Sequence, residues 1–329
     1  MDFGKLALHR YSVPSGKATK TSLLADRPAG SAPRPAGAFI KPLDNVPAGI
    51  LYMVLATFLF AVSSAIAKWQ VAIYPVGEVM FFRSASSLLV CASLVLPFTG
   101  LSVFATSRPG AHIARGLSQS ISQTFTVIAF SLMPLAGAIA INFSAPLWAA
   151  LLSVLWLKER ASPMRWAVLL TGFSGVLIVA SPGTDSLQIG ALFALANAIM
   201  YGSVTVAVRG MTATESALTL LMWQMVVLGI AHTFLLAFGF RMPTATDAAM
   251  LGFSGVANAA AQYAWTRSLL LAPTTAVSPF YYLMLVWAIG IGYFVWGDVP
   301  TLGLLIGSAI VVGSGLLLLG HEARQKRRG

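Results

Sequence analysis

Hydrophobic residues along this chain come in long blocks, without the polar positions that recur every few residues on a water-facing helix. Stretches free of Asp, Glu, Lys and Arg run over 45–67, 84–107, 116–157, 166–184, 186–208, 216–240, 248–266, 268–297 and 299–321. A helix that crosses a bilayer takes about 20 mostly apolar residues. Eight of the stretches fit one such helix each, and 116–157 fits two with a turn near Pro134. The pattern predicts an all-α integral membrane protein with ten transmembrane helices, because only closed backbone hydrogen bonding survives in hydrocarbon.

The pattern also repeats. A shift of 139 positions superposes Gly116 on Gly255, Gln119 on Asn258, Gln123 on Gln262, Pro134 on Pro273, Trp148 on Trp287 and Glu159 on Asp298. Nearer the start the shift is 141, where Gly49 meets Gly190, Lys68 meets Arg209 and Arg83 meets Gln224. Each copy holds five helices, an odd number, so the second must enter the bilayer upside down. The predicted organisation is two inverted five-helix repeats, 48–181 and 189–320, between a tail over 1–47 and a short basic tail over 321–329.

Composition agrees. Charged residues make up 9% of the chain and hydrophobic ones 57%, against about 25% charged in a soluble domain. Such a chain cannot cover its surface with ionised groups, so its main solvent is lipid. Lysine and arginine then set the orientation. With the N-terminus inside, inner segments collect Arg108, Arg115, Lys158, Arg160, Arg165, Arg209, Arg267 and both tails, while outer segments hold Lys68 and Arg241. The expected location is the cell inner membrane with both termini cytoplasmic. The net charge of +11 reflects this topology and calls for no nucleic-acid partner. The first 44 residues lack the apolar core of a cleavable secretory signal. Their Pro, Gly, Ser and basic content reads as a disordered cytosolic tail, with a transit peptide as the second reading. One cysteine, Cys91, and four scattered histidines leave no ligand spacing for a metal, and no cofactor is expected.

The block MPLAGAIAINFSAPLWAALLSVLWLKERASPMRWAVLLTGFSGVLIV, residues 133–179, resembles the fourth and fifth helices of an EamA domain. Its elements here are Pro134, Pro146, Glu159, Gly172 and Gly175. The second copy, 272–319, keeps Pro273, Asp298, Gly313 and Gly315 but has Leu285 where the mid-helix proline would stand. The resemblance covers about 48 to 320 and implies the drug/metabolite transporter superfamily: ten helices, two EamA repeats and carriage of small organic solutes. Members that this chain resembles include amino-acid exporters, S-adenosylmethionine carriers and riboflavin carriers.

Polar groups inside the apolar stretches are the candidate chemistry. In the third predicted helix, Ser118, Ser122 and Thr126 fall on one line and Gln119 with Gln123 on the next. The eighth presents Asn258 and Gln262 at the matched positions, then Thr266. Each carboxamide costs roughly 2–7 kcal/mol in hydrocarbon without a partner, so these faces turn inward, either as glue between helices or toward a solute. Trp148, Trp265, Tyr281 and Trp287 would shape apolar walls. Tyr263 and Tyr282 belong to the same aromatic group, part of which serves as an interfacial belt.

Glu78 and Arg83 stand five residues apart at the head of an apolar run. Helical geometry puts Arg83 about 7.5 Å deeper and the two side chains about 500° apart, so they do not stack. Arg83 either snorkels to the outer interface or faces the cavity as an outer gate or a contact for an anionic group. Glu159 and Asp298 read as caps of matching loops. No acid lies deep within a helix, which weakens a buried-carboxylate proton relay.

The expected function is transport of a small organic metabolite by alternating access, with Gln119, Gln123, Asn258, Gln262, Trp148, Trp265, Tyr281, Trp287 and Arg83 binding the solute. A riboflavin-like or aromatic solute is preferred from the carboxamide and aromatic inventory, with an amino-acid or drug/metabolite exporter as the alternative. A membrane-embedded enzyme would need converging acid, base, nucleophile or metal groups, and none converge. A structural scaffold leaves the matched polar pairs without a reason. The partners expected are the solute and the bilayer, with a homodimer left open.

Overall fold

Long apolar segments become helices because each satisfies its own backbone in lipid. The computed structural model describes residues 45–157, 163–180, 185–209, 215–272 and 274–326. The expected tail therefore lies outside the described residues except at 45–47, where Asn45 already caps α1 by accepting from the Ala48 amide at 3.1 Å. The helices are α1 Val46–Val71, α2 Val76–Thr99, α3 Pro109–Leu132, α4 Leu135–Asn142, α5 Ala145–Leu157, α6 Pro163–Ala180, α7 Asp185–Arg209, α8 Ala217–Leu235, α9 Ala245–Leu271, α10 Thr274–Tyr281, α11 Leu283–Trp296 and α12 Leu302–Lys326. Two short 3-10 turns, Gly100–Phe104 and Leu236–Phe238, follow α2 and α8.

Among the described residues twelve helices make ten crossings, because α4/α5 and α10/α11 are each one crossing broken in the middle. The first break falls at Phe143–Ser144, and Pro146 sits at the second position of α5. A proline is tolerated there because its missing N–H would have had no partner. The second break falls at Tyr282, which is Phe143 shifted by the same 139 positions that relate the two copies. Leu285 does stand at the matched proline position, but Pro279 lies inside α10 and precedes this break. The Phe143 and Tyr282 rings meet edge to face at 5.1 Å.

Symmetry shows in the packing. α1 of the first copy lies antiparallel on α9 of the second, and in the matching contact α7 of the second lies antiparallel on α3 of the first. Ser63 donates to the Ser254 carbonyl at 2.8 Å and Ser254 to the Ser63 carbonyl at 3.1 Å. Matched glycines permit matched close approaches, as in other small-residue interfaces between membrane helices. A Cβ at Gly116 would lie 2.5 Å from Val227 Cβ, and one at Gly255 would lie 2.4 Å from the Arg83 carbonyl oxygen. The helices α2 with α8, and α6 with α12, pair across the symmetry axis.

Among the described residues five helical segments are long and apolar enough to cross a membrane: Val46–Val71, Val76–Phe104, Leu135–Leu152, Leu218–Phe238 and Pro279–Trp296. Shorter apolar stretches occupy α6, α7 and α12. The two remaining crossings, α3 and α9, have 24 and 27 residues and fall short in apolarity, not in length. They carry the carboxamides. The largest hydrophobic core fills the half of the bundle where α1 and α3 end and α2, α4 and α9 begin, with Ala67, Met80, Phe130, Leu135 and Leu251 at its centre. This half is called the far end below, and the half where α1 begins, holding Arg108, Arg115 and Arg267, the basic end.

Candidate functional site: a polar cavity between the repeats

Around the midplane the helices part to leave a cavity of about 530 Å³, which reaches from Phe130 of α3 to Leu269 of α9. Its polar lining is Ser64, Arg83, Gln119, Gln123, Thr126, Asn142, Asn197, Tyr201, Asn258, Gln262, Tyr281 and Tyr282. Both copies contribute, α3 with Gln119 and Gln123 and α9 with Asn258 and Gln262. Helical periodicity explains the pairing, since side chains four apart share a face. The same face of α9 carries Trp265 and Leu269 further toward the basic end. On α5 the lining is small: Ala145, Pro146, Ala149 and Ala150.

Some of these polar groups hold each other. Arg83 Nη2 donates to Asn258 Oδ1 at 3.0 Å, and Asn258 Nδ2 to Ser87 Oγ at 3.4 Å. Asn197 Nδ2 donates to Asn142 Oδ1 at 2.7 Å, and Ser122 donates to Asn197. The carboxamides of Gln119, Gln123 and Gln262 bond no side chain or backbone group among the described residues. All three face the cavity. Their donors and acceptors are thus directed at its contents, where an apolar wall would leave them uncompensated.

Of the nine residues expected to meet a solute, seven line this cavity: Arg83, Gln119, Gln123, Asn258, Gln262, Trp265 and Tyr281. Trp148 and Trp287 do not. Trp148 lies on the side of α5 that meets α6, its ring 4.6 Å from that of Phe173. Trp287 donates its Nε1–H to Thr57 Oγ1 at 3.3 Å and packs edge-on against Phe58 of α1. Depth in the membrane follows from residue count, but the direction around the helix axis depends on which neighbour each face meets.

Glu78 does not pair with Arg83. Its carboxylate accepts the Arg241 backbone amide at 2.9 Å in the loop before α9. Gln224, matched to Arg83 by the repeat, accepts from Arg115 Nη2 at 2.6 Å away from the cavity. Asp298 follows Gly297, which takes φ 70° at the end of α11, and donates its amide to the Gly292 carbonyl. Glu159 lies outside the described residues.

Asn142 and Ser64 line the cavity without having been singled out, and Tyr282, named with the aromatic group, lines it too. Asn142 left a trace in the sequence: with Ser144 it interrupts the apolar run just ahead of Pro146. Asn197 and Tyr201, on the face of α7 that meets α3 and α5, complete the lining.

At the far end side chains tie the described helices and loops together across the bundle. Lys68 Nζ donates to the Phe130 and Met133 carbonyls at 3.1 and 2.7 Å and lies over the Trp296 ring at 5.5 Å. Tyr74, in the loop between α1 and α2, donates to Asp247 at 2.6 Å. That bond holds the Tyr74 phenol above its ordinary range, so it stays protonated well into alkaline solution. Among the described residues no group of three or more His, Cys, Asp or Glu could hold a metal.

This architecture has relatives. The profile of the EamA-like transporter family matches residues 47–181 and 188–320, one match per repeat. A riboflavin transporter of Rhizobium johnstonii is 28% identical over 286 residues, covering 85% of this chain and 93% of that one. An S-adenosylmethionine uptake transporter of Rickettsia bellii is 27% identical, covering 75% and 84%. A pseudopaline exporter of Pseudomonas aeruginosa is 28% identical, covering 82% and 95%. A solved crystal structure at 20% identity superposes with a TM-score of 0.58, covering 83% of this chain and 97% of that one, and so shares the fold.

Proposed function

The chain belongs to the EamA-like transporter family, a multi-pass membrane carrier and not an enzyme, and we propose that its cavity binds a flat, amphipathic organic solute for alternating access. The reading rests on the Gln119, Gln123 and Gln262 carboxamides, which face the cavity with no protein partner among the described residues. Trp265 and Tyr281 supply rings beside them. A riboflavin-like solute suits this inventory, and a relative at 28% identity is named a riboflavin transporter. The volume, about 530 Å³, falls within the range usual for small-molecule sites. Seven residues are proposed for contact: Arg83, Gln119, Gln123, Asn258, Gln262, Trp265 and Tyr281.

Orientation is part of the same proposal. Loops rich in arginine stay cytoplasmic, so the basic end faces the cytoplasm and the cavity faces inward. In the outward-facing state the two repeats exchange roles, the break at Phe143 moving against the break at Tyr282.

Riboflavin uptake into liposomes holding the purified protein tests the reading. Gln123→Leu and Gln262→Leu should each weaken apparent affinity by about tenfold, since a lost hydrogen bond leaves a solute group unpaired. Both should act on the same solute. Unchanged affinity together with a lower melting temperature would assign the two glutamines to helix packing and move the site elsewhere.

A further inference from the structure

Interior cations in this bundle are handled in two ways. Lys68 is met by two backbone carbonyls and the Trp296 ring. Arg115 is met by the Leu220 carbonyl at 2.9 Å and Gln224 Oε1 at 2.6 Å. Neither lines the cavity. Arg83 differs on both counts. It lines the cavity, and its one hydrogen bond among the described residues is to the amide oxygen of Asn258. A guanidinium offers five N–H donors, so most of its capacity is unspent.

Its charge is also unbalanced. Among the described residues no carboxylate lies within salt-bridge distance of Arg83, and the cavity lining holds no aspartate or glutamate. The nearest acid in sequence, Glu78, is engaged by Arg241 at the far end. A charge held at this depth without a counter-ion is costly, and replacing it by a neutral side chain would remove that cost. The side chain turns toward Asn258 of α9 and into the cavity, where water lowers that cost without balancing the charge. A cargo that brings its own counter-ion would balance it.

We propose that the solute carries an anionic group, a carboxylate or a phosphate, which docks on the Arg83 guanidinium while Asn258 holds the arginine in place. The proposal rests on the cavity being the solute site, as argued above. An arginine fork matches either group with two parallel hydrogen bonds. Ser87 in turn holds Asn258 and itself donates to the Gly255 carbonyl at 2.8 Å, so the fork is braced from α2 and α9 together. The aromatic body of the solute then lies toward Gln262 and Trp265, further along α9. Charge at one end and rings at the other define an amphipathic organic anion.

Two matched pairs of probes separate charge from shape: riboflavin with its 5′-phosphate, and indole-3-acetamide with indole-3-acetate. Binding to the purified protein is read by flavin fluorescence for the first pair and by thermal shift for the second. The anion of at least one pair should bind about tenfold or more tightly than its neutral partner, as expected for a charge-assisted pair shielded from water. Preference confined to the phosphate or to the carboxylate identifies the group. Arg83→Gln should erase most of the preference, Arg83→Lys should keep part of it, and the neutral partners should lose far less. Neutral members binding as well as their anions would overturn the proposal while leaving the transport reading intact. So would equal losses for both members in Arg83→Gln. Binding of no member at millimolar concentration would overturn the aromatic-solute reading and this proposal together. The comparison within each pair needs only the wild-type protein, so it stands even if Arg83→Gln fails to fold.

Discussion

The far end and the midplane of the bundle are built from the same repeats and do opposite things. At the far end Lys68, Tyr74, Glu78 and Asp247 engage across helices and loops, and apolar packing fills the space beneath them. Around the midplane α3 and α9 face each other across a polar cavity. Lys68 shows how little sequence separates these outcomes. Its repeat partner in sequence is Arg209, a cation at the equivalent place. An inverted repeat supplies two gates of related design, and a carrier must never open both.

The largest effect should come from the seal. Lys68→Met removes two charge-assisted hydrogen bonds, each worth about 1.5–3 kcal/mol, and leaves two carbonyls to find water. The balance between closed and open far ends should move roughly a hundredfold or more. A cysteine at Thr126 in a Cys91→Ser background reports it through labelling by an impermeant thiol reagent added at that side. Labelling no faster than in the parent would show that apolar packing alone holds the seal.

A smaller effect is expected at the rim of the same end. Tyr74→Phe removes one donor to Asp247, which keeps its bond from Thr244 at 2.7 Å. Labelling of the same cysteine should rise a few-fold. The effect should be constant from neutral pH upward, because the raised phenol pKa keeps Tyr74 protonated beyond the range in which a free tyrosine ionises. A step in labelling of the parent near pH 7 would assign control to another group.

The smallest expected effect separates wall from scaffold. Trp287→Phe removes the bond to Thr57 and trims the contact with Phe58. Stability should fall by about 1 kcal/mol, read as a lower melting temperature, while apparent solute affinity stays within about twofold. A large loss of affinity at full stability would return Trp287 to the binding surface.

Much of this could be read from residue order. The charge-free runs gave the crossings, and the 139-residue shift gave the inverted repeat, because both depend on spacing alone. The Gln119/Asn258 and Gln123/Gln262 pairs were legible for the same reason: a polar stripe at four-residue spacing must face away from lipid. Trp148 and Trp287 were misdirected because depth along an axis does not fix direction around it. Asn142 was not singled out because its place in the cavity wall follows from the break in its helix.

The sequence by itself determined that the chain lives in lipid, in two halves of opposite orientation, since a hydrocarbon solvent leaves few alternatives for an apolar chain. Only the tertiary structure decided that Glu78 and Arg83 part company. Five residues separate them in sequence, but Glu78 turns to the Arg241 amide and Arg83 to Asn258. Local geometry left both free of each other, and the partners that claimed them lie 163 and 175 residues away. No rule of spacing reaches that far.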